Sequence, residues 1–276
     1  MIVYRTGDGV VVRPADDGEA RRVTRSWDEL LRSASFASAV EEAYQSGTAL
    51  PEFDAASALV PLVGQEVWAA GVTYFRSGDA RMAESAEAGG GSFYDRVYEA
   101  ERPELFFKAN ARTAVGTGEP IGIRSDATWN VPDPELVLLA DPRGQLVGYT
   151  VGNDVSSRDI EGDNPLYLPQ AKVYDRSCAI GPGVLVAGDP LPSTTTISLR
   201  ILRGEAEAFA GSTTLAELKR SPQELLDYLF RDNSFPAGCY LMTGTGIVPP
   251  DGFTLQAGDQ VTIAIDGIGE LVNTVG

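Results

Sequence analysis

The chain has 276 residues, of which 43% are hydrophobic, and its formal net charge is −17. That length is ample for a buried core in one large domain or in a small and a larger one. The acidic balance, with no basic stripe to neutralise phosphates, argues against a nucleic-acid partner or an anionic membrane surface. The chain contains no histidine, so Ser-His-Asp and Cys-His catalysis are excluded. Acid–base work must fall to Lys, Asp, Glu, Tyr or bound water.

The first residues and the cysteines indicate the cellular compartment that we expect. The opening MIVYRTGDGVVV lacks the basic and long apolar regions of a signal peptide. No apolar run approaches the ~20 residues that a transmembrane helix needs. Cys178 and Cys239 are far apart in sequence and have no CxxC pairing, so a zinc site is not indicated. We expect free thiols in a reducing cytoplasm.

Residues 1–65 are predicted to form a small α+β N-terminal domain, and residues 66–276 the larger catalytic domain. Residues 1–13 favour a hairpin around a Thr-Gly-Asp-Gly turn. Ser26 and Glu29 have the spacing of a capping box, which predicts a short helix. A second helix is predicted over Phe36–Gln45, ahead of a glycine.

A buried strand is predicted over Val67–Val72, and a polar, helix-prone segment at residues 78–101 is interrupted by Gly89–Gly91. A glycine-hinged segment at a strand end is either a lid over a site or an ordinary surface loop. Four cations lie in or near this segment and either clamp a substrate carboxylate or lie on solvated surface: Arg76, Arg81, Arg102 and Lys108.

The stretch Val131–Pro182 begins with a pattern typical of a β-hairpin. A strand ending at Ala140 leads into Asp-Pro-Arg-Gly, which has the residue preferences of a type I turn, and Leu146–Gly152 returns as the second strand. Pairing of Ala140 with Gln145 would give three further pairs: Glu135 with Thr150, Asp133 with Gly152 and Val131 with Asp154. A β-bulge would change this register.

The hairpin predicts a cluster of carboxylates. Opposed residues share a face, as do residues two apart on a strand, so Asp133, Glu135 and Asp154 project from one side. Three carboxylates that close repel one another unless a cation lies between them. A metal held by oxygen explains the cluster, with Mg²⁺ favoured over Mn²⁺ or Ca²⁺. The alternative is an exposed acidic strand end.

Other candidates follow the hairpin. Lys172 is a candidate proton donor or acceptor if it is partly desolvated, and is otherwise an exposed lysine. Arg158 is expected to pair with a neighbouring carboxylate. Capping boxes at Thr214 and Ser221 predict two helices within a β-rich C-terminal part. The Thr-Gly-Thr-Gly turn that contains Thr245 offers N–H groups and hydroxyls to an anion.

Residues 66–276 resemble the fumarylacetoacetate hydrolase superfamily. The resemblance is carried by AAGVTY, PELFFKA, the acidic-x-Glu pair, GYTVGNDVSSRD, the later AK and GP, TGTG, and the closing AGD and GIG. It implies an α+β fold with a mixed, rolled β-sheet core, and a homo-oligomer. It also implies Mg²⁺ held by Asp133, Glu135 and Asp154, and 2-oxo acid substrates that chelate the metal. The family usually has Glu where this chain has Asp133.

One departure from the family's hydrolases bears on activity. Those enzymes carry His, then Glu three residues on, shortly after the tyrosine of the first strand, whereas this chain has Ser77 and Ala80 there. The dyad that activates water for C–C bond hydrolysis is therefore missing. The phrases YFRSGDARMAES, YDRVYEAERPELFFKA and DIEGDNPLYLPQAKVYD resemble instead the 2-keto-3-deoxy-D-arabinonate dehydratase branch, which also takes related pentonates.

That branch implies Mg²⁺-dependent dehydration of a 2-keto-3-deoxy sugar acid to a 2-oxo acid semialdehyde, in non-phosphorylative sugar-acid catabolism. The metal acts as a Lewis acid while a C3 proton and the C4 hydroxyl leave. Lys172 is the expected base or acid, and Lys108 is the second catalytic candidate. The candidate substrate contacts are Arg76, Ser77, Tyr74 and Thr245.

Two alternatives stay open at this point. One is another activity of the same scaffold, such as acylpyruvate hydrolysis, 2-oxo acid decarboxylation or isomerisation, of which hydrolysis needs a substitute for the missing histidine. The other is a sugar-acid-binding protein that keeps the metal and has lost turnover. Metal-dependent turnover separates the second alternative from the enzymes, and the identity of the product separates the enzymes from each other.

Overall fold

The computed structural model describes residues 1–16, 18–74, 97 and 99–276. The helices with both ends in these ranges are α1 Trp27–Leu31, α2 Phe36–Gln45, α3 Arg158–Asp163, α4 Leu168–Lys172 and α5 Pro222–Leu229. The strands are β1 Ile2–Thr6, β2 Gly9–Arg13, β3 Arg21–Val23, β4 Thr48–Ala49, β5 Glu66–Gly71, β6 Glu104–Asn110, β7 Ala114–Val115, β8 Asn130–Val131, β9 Pro134–Ala140, β10 Leu146–Asp154, β11 Ser156–Ser157, β12 Cys178–Val186, β13 Thr196–Arg203, β14 Ala206–Thr214, β15 Cys239–Met242, β16 Gln260–Ile265 and β17 Gly269–Thr274.

A large mixed sheet organises the described part of the chain. Its strands run in the order β4-β3-β2-β1-β12-β10-β9-β15-β5-β6, and β7 pairs with β12 off this path. β15 is parallel to β5 and β7 is parallel to β12, whereas the hairpins along the path are antiparallel. This mixed pairing with few helices confirms the predicted α+β class with a mixed β-sheet core.

A second, antiparallel sheet packs against the first. Its order is β14-β13-β16-β17, and it contacts β9, β10 and β12 face to face. Alternate side chains of β13 and β16 are buried at this contact, since successive residues of a strand point to opposite faces: Ile197, Leu199, Ile201, Val261, Ile263 and Ile265. Leu225, Leu226 and Leu229 of α5 join this core.

The N-terminal residues extend the large sheet, because β1 pairs with β12. The predicted helices are confirmed: α1 begins after a capping box of Ser26 and Glu29, and α2 covers Phe36–Gln45. Both helices bury an apolar face in a second core, which includes Val3, Val12 and Val184 of the sheet. A domain boundary at residue 65 stays a prediction.

The hairpin of β9 and β10 forms around the predicted turn, in which the Gly144 N–H donates to the Asp141 carbonyl at 2.9 Å. The predicted register is wrong. A bulge shifts the pairing, so Leu146 lies opposite Ala140 and Gly152 lies opposite Glu135. The shift near Glu135 is two residues, and because the side-chain period is also two, the carboxylates keep the face that the sequence predicted.

Two further outcomes concern local signals. Thr214 precedes a single 3₁₀ turn and makes no side-chain cap, so the helix predicted there is wrong, whereas Ser221 caps α5 as predicted. Cys178 and Cys239 are free and buried. In the described ranges, none of the helices has the length and hydropathy to span a membrane.

Candidate active site

Strand ends bring the three predicted carboxylates to one place. Asp133 directly precedes β9 and Asp154 ends β10, and these antiparallel neighbours place the two residues at the same edge of the sheet. The Asp154 N–H donates to the Asp133 carbonyl at 3.0 Å. Both side chains and that of Glu135 are at least 98% buried, and all three line one cavity. They are therefore not an exposed acidic strand end.

Lys172 reaches this cluster from the last residue of α4. Its Nζ donates to Asp133 Oδ2 at 3.1 Å, to Asp154 Oδ2 at 2.9 Å and to Ser156 Oγ at 2.5 Å. The ring of Phe106 lies 5.9 Å from the same nitrogen, within the range of a cation–π contact. Lys172 is 4% exposed and lines the cavity, so it is the desolvated lysine that the sequence left open.

Arg158 supplies a second buried cation. Its guanidinium donates to Asp133 Oδ1 at 2.7 Å and to Glu161 Oε2 at 3.1 Å. The predicted pairing of Arg158 with a neighbouring carboxylate is confirmed. Asp133 also accepts a hydrogen bond from Ser156 Oγ at 2.8 Å, so both of its oxygens are held, and the carboxylate has one fixed orientation at the cavity wall.

Glu135 is held by the loop after β15. The Gly244 N–H donates to Glu135 Oε2 at 2.6 Å. Gly244 has φ +86°, and a Cβ there would meet Thr73 Oγ1 at 2.1 Å, so this close approach requires glycine. Burial raises the pKa of Glu135 well above its usual value, and the charges of Asp154 and Asp133 raise it further.

The donor set fits a hard divalent cation. Three buried carboxylates on one cavity wall repel one another, and oxygen ligands are those that Mg²⁺ prefers. Among residues 1–16, 18–74, 97 and 99–276, no three His, Cys, Asp or Glu side chains have the spacing of a formed metal shell. The ammonium of Lys172 lies between two of the three candidates. The ligand roles of Asp133, Glu135 and Asp154 stay predictions.

The structure places only some of the other predicted residues at the cavity. Thr245 lines the cavity beside Gly244. Tyr74 is fully buried and is not part of the cavity lining; its ring lies so close to Gly246 that a Cβ there would meet Tyr74 Cδ1 at 2.7 Å. This packing supports the loop, and the substrate contact predicted for Tyr74 stays a prediction. Arg76 and Ser77 lie outside the described residues, as do residues 78–96 and 98 of the lid predicted at residues 78–101.

Lys108, the second catalytic candidate, lies behind the carboxylates and not in the cavity wall. It is 1% exposed. Its Nζ lies 2.5 Å from Asp154 Oδ1 and donates to the carbonyls of Val155 and Lys172. An ammonium behind the carboxylates is placed to hold Asp154 and the backbone of Lys172, and the predicted catalytic role of Lys108 stays a prediction.

Sequence reasoning missed Glu104 and Glu161 as cavity residues. Glu104 lies on β6 two residues before Phe106, which also lines the cavity, and residues two apart on a strand share a face. Gly71 permits this placement, since a Cβ there would meet Glu104 Oε2 at 2.1 Å. The alternation of Glu, Phe and Lys in PELFFKA was the signal that could have identified Glu104.

The protein-family model for the C-terminal part of fumarylacetoacetate hydrolase matches residues 73–276. The chain belongs to the fumarylacetoacetate hydrolase family. A probable 2-keto-3-deoxyxylonate dehydratase from Haloferax volcanii is 49% identical over 219 residues, which are 79% of this chain and 74% of that protein. A 2-dehydro-3-deoxy-D-arabinonate dehydratase from Saccharolobus solfataricus is 43% identical over 218 residues, 78% of this chain and 73% of that protein.

A solved structure gives the same relationship in three dimensions. The structure of 2-keto-3-deoxy-D-arabinonate dehydratase complexed with magnesium and 2,5-dioxopentanoate matches with a TM-score of 0.86 at 33% identity. The match covers 100% of this chain and 98% of that one. The predicted family and its type of fold are therefore confirmed.

Proposed function

We propose that this protein is a lyase that removes water from a 2-keto-3-deoxy sugar acid, in a Mg²⁺-dependent reaction. The observation that carries the proposal is the cavity wall itself, on which three buried carboxylates stand beside the ammonium of Lys172. The dehydratases among its relatives and the magnesium-bound structural neighbour support the assignment.

Asp133, Glu135 and Asp154 are the residues that would hold the metal. When bound, Mg²⁺ supplies Lewis-acid polarisation of a 2-oxo acid. Hydrogen bonds hold two of these carboxylates in place. Arg158 and Ser156 donate to Asp133, and the Gly244 N–H donates to Glu135. Fixed orientation of the ligands keeps the substrate in one position relative to the proton-transfer groups.

The reaction loses one molecule of water and needs several proton transfers. Breaking the C3–H and C4–O bonds gives an unsaturated 2-oxo acid. For a pentonate, loss of a C5 proton and of the hydroxyl proton, with protonation at C3 and C4, then gives the C5 aldehyde. The product would be 2,5-dioxopentanoate, the compound bound in the structural neighbour. At least one acid and one base must therefore face the carbon chain.

Lys172 is proposed as the acid. The two carboxylates at 3.1 and 2.9 Å stabilise its charged ammonium form. A charged ammonium can donate a proton to the departing C4 hydroxyl, which then leaves as water. The base is a different residue, because an ammonium has no lone pair to accept the C3 proton.

Glu104 is proposed as the base that takes the C3 proton. It is partly exposed and lines the same cavity as Lys172. It is separate from the three candidate metal ligands, so its protonation would not remove a ligand from the metal. Thr245, on the cavity wall, is proposed to hydrogen-bond a substrate hydroxyl, and Arg76 and Ser77 keep their predicted substrate roles.

The test follows the mass of the products. Purified protein is incubated with Mg²⁺ and either 2-keto-3-deoxy-D-arabinonate or the xylonate-series acid, with and without EDTA. We expect loss of water that EDTA abolishes and that Mg²⁺ restores. Asp133→Asn, Glu135→Gln and Asp154→Asn should each lose turnover, whereas the exposed Asp175→Asn should retain it. Cleavage of acylpyruvates without dehydration of either acid would contradict the proposal.

We also propose that the protein works as a homo-oligomer in the cytoplasm. Two free, buried thiols support a reducing compartment. Size-exclusion chromatography with light scattering measures the mass of the protein in solution. A monomer at micromolar concentration would contradict the proposed homo-oligomer.

A further inference from the structure

Lysine is rare in this chain and concentrated at one place. The chain has three lysines and nineteen arginines. Two of the three, Lys108 and Lys172, are at most 4% exposed and lie at the candidate site. The side chain of the third, Lys219, is 29% exposed and pairs with Glu99 at 3.7 Å. Arginine therefore supplies almost all of the positive surface charge, and two of the three lysines lie at the candidate site.

The surroundings of Lys108 match the shape of an ammonium. Its Nζ meets three acceptors: Asp154 Oδ1 at 2.5 Å, the Val155 carbonyl at 3.1 Å and the Lys172 carbonyl. An ammonium has three donors around one compact centre, whereas a guanidinium is planar and larger. Burial of a charge is costly unless it is paired and hydrogen-bonded, and here the ammonium has Asp154 as its ion-pair partner and two backbone carbonyls as hydrogen-bond acceptors.

Two of these three oxygens belong to residues with proposed roles in the site. Asp154 is a candidate metal ligand, and its Oδ2 faces Lys172 at 2.9 Å in the cavity, while Oδ1 faces Lys108 behind the cavity. The Lys172 carbonyl lies at the end of α4 and sets where that residue's side chain starts. One buried ammonium therefore joins the backbone of the proposed acid to the carboxylate of a proposed ligand.

We propose that Lys108 is a positioning residue that orients Asp154 toward the metal and fixes the backbone of Lys172. This inference rests on the proposed function, since it concerns the metal site of that function. Without Lys108, Asp154 Oδ1 would lose the cation that holds it, so the carboxylate would turn from its present orientation. That change weakens it as a metal ligand.

Lys172 provides the contrast. Its ammonium contacts the oxygens that face the cavity, so it competes with a bound cation for the same atoms. Removal of Lys172 should leave metal affinity unchanged or raise it. Removal of Lys108 should lower the affinity about 10–100-fold, the range found when residues that support metal ligands are changed. If Lys108 contributed only to packing, its removal would not lower the metal affinity while removal of Lys172 leaves that affinity unchanged or raises it.

The experiment measures Mn²⁺ and Mg²⁺ binding by calorimetry without substrate, on folded protein. Lys108→Met and Lys172→Met are compared with Lys219→Met, which removes the third lysine. Gln65→Met is the control for lost buried polarity, because Gln65 is 1% exposed and bonds only Val63 and Ala237 in the described structure. We expect weaker binding in Lys108→Met alone. In the same variant, kcat should fall more than KM changes.

Lys108→Gln, which keeps two donors without the charge, replaces Lys108→Met if the latter does not fold. A second readout is the NMR spectrum of the wild type labelled with ¹⁵N-lysine, in which the three lysines give three ammonium signals. The Lys108 signal should exchange slowly with solvent and shift when Mg²⁺ is added.

The outcomes are distinct. Folded Lys108→Met or Lys108→Gln with wild-type metal affinity, or a Lys108 signal that ignores Mg²⁺ at saturation, would overturn the positioning role and leave the proposed function intact. Wild-type protein that binds neither cation would refute the metal-dependent function, and the positioning role with it. Metal binding that depends on Lys108 in a protein that dehydrates neither sugar acid would refute the substrate assignment only.

Discussion

Replacing Lys172 with methionine removes an ammonium from a buried cluster of carboxylates. The Lys172 side chain is 5% exposed and lies within 3.1 Å of oxygens of Asp133 and Asp154. Removing one partner of a buried ion pair costs about 3–5 kcal/mol, because the remaining charge is uncompensated. Here each carboxylate keeps another cation, Arg158 at 2.7 Å and Lys108 at 2.5 Å. We therefore expect the lower end, about 3 kcal/mol of unfolding free energy in the absence of metal.

Urea and thermal unfolding with EDTA measure this loss. About 3 kcal/mol corresponds to a decrease of roughly 6–12 °C in Tm, at 2–4 °C per kcal/mol for domains of 150–250 residues. Mg²⁺ should narrow the gap, because without the competing ammonium it binds the variant more tightly than the wild type; a ligand at 100 times its Kd stabilises the folded state by about 2.7 kcal/mol. Turnover should stay about 100-fold or more below wild type even with Mg²⁺, because the proposed proton donor is gone.

Lys219→Met is the matched control. It removes a partly exposed lysine, and exposed ion pairs contribute about 0–1 kcal/mol. A Lys172→Met protein as stable as wild type in EDTA would refute the ion-pair reasoning. Near-normal turnover with intact metal binding would refute the assignment of Lys172 as the acid.

Three further predictions follow from the same site. Glu104→Gln should lower turnover about 100-fold or more while calorimetry finds unchanged Mg²⁺ affinity; weakened metal binding would instead make Glu104 part of the metal site. Glu135→Gln should stabilise the metal-free protein increasingly as pH rises above 4.5, because the pKa of Glu135 is raised from that value and the unfolded wild type releases this proton while the folded protein still holds it. Urea unfolding in EDTA between pH 5 and 8 measures the difference, and parallel curves for the two proteins would contradict it. Gly244→Ala should cost about 2 kcal/mol or more, since φ is +86° and Thr73 Oγ1 lies 2.1 Å from the added Cβ; unfolding and metal titrations check it, and full stability would mean that the loop can move.

Local signals predicted local structure well. The capping box at Ser26, the helix Phe36–Gln45 and the turn before Gly144 all form as expected. Each depends on side-chain and backbone contacts within a few residues, so neighbouring sequence is enough to determine it. Thr214 failed because the chain after it makes one 3₁₀ turn without a side-chain cap.

The register of the hairpin could not be obtained in this way. The bulge near Leu146 is a property of how β10 fits between β9 and β12. The carboxylates still share a face because the error was an even number of residues. A shift of one residue would have sent Asp154 to the opposite face.

The sequence by itself determined the chemistry that is available: no histidine, hard oxygen ligands, and three lysines. Its long family phrases also determined the family. Only the tertiary structure decided which lysine meets the cavity. Lys172 reaches it from the end of α4, whereas Lys108 lies behind Asp154 on β6. The physical reason is that a lysine's role depends on which side of a carboxylate it approaches, and that is set by the packing of strands and helices distant in sequence.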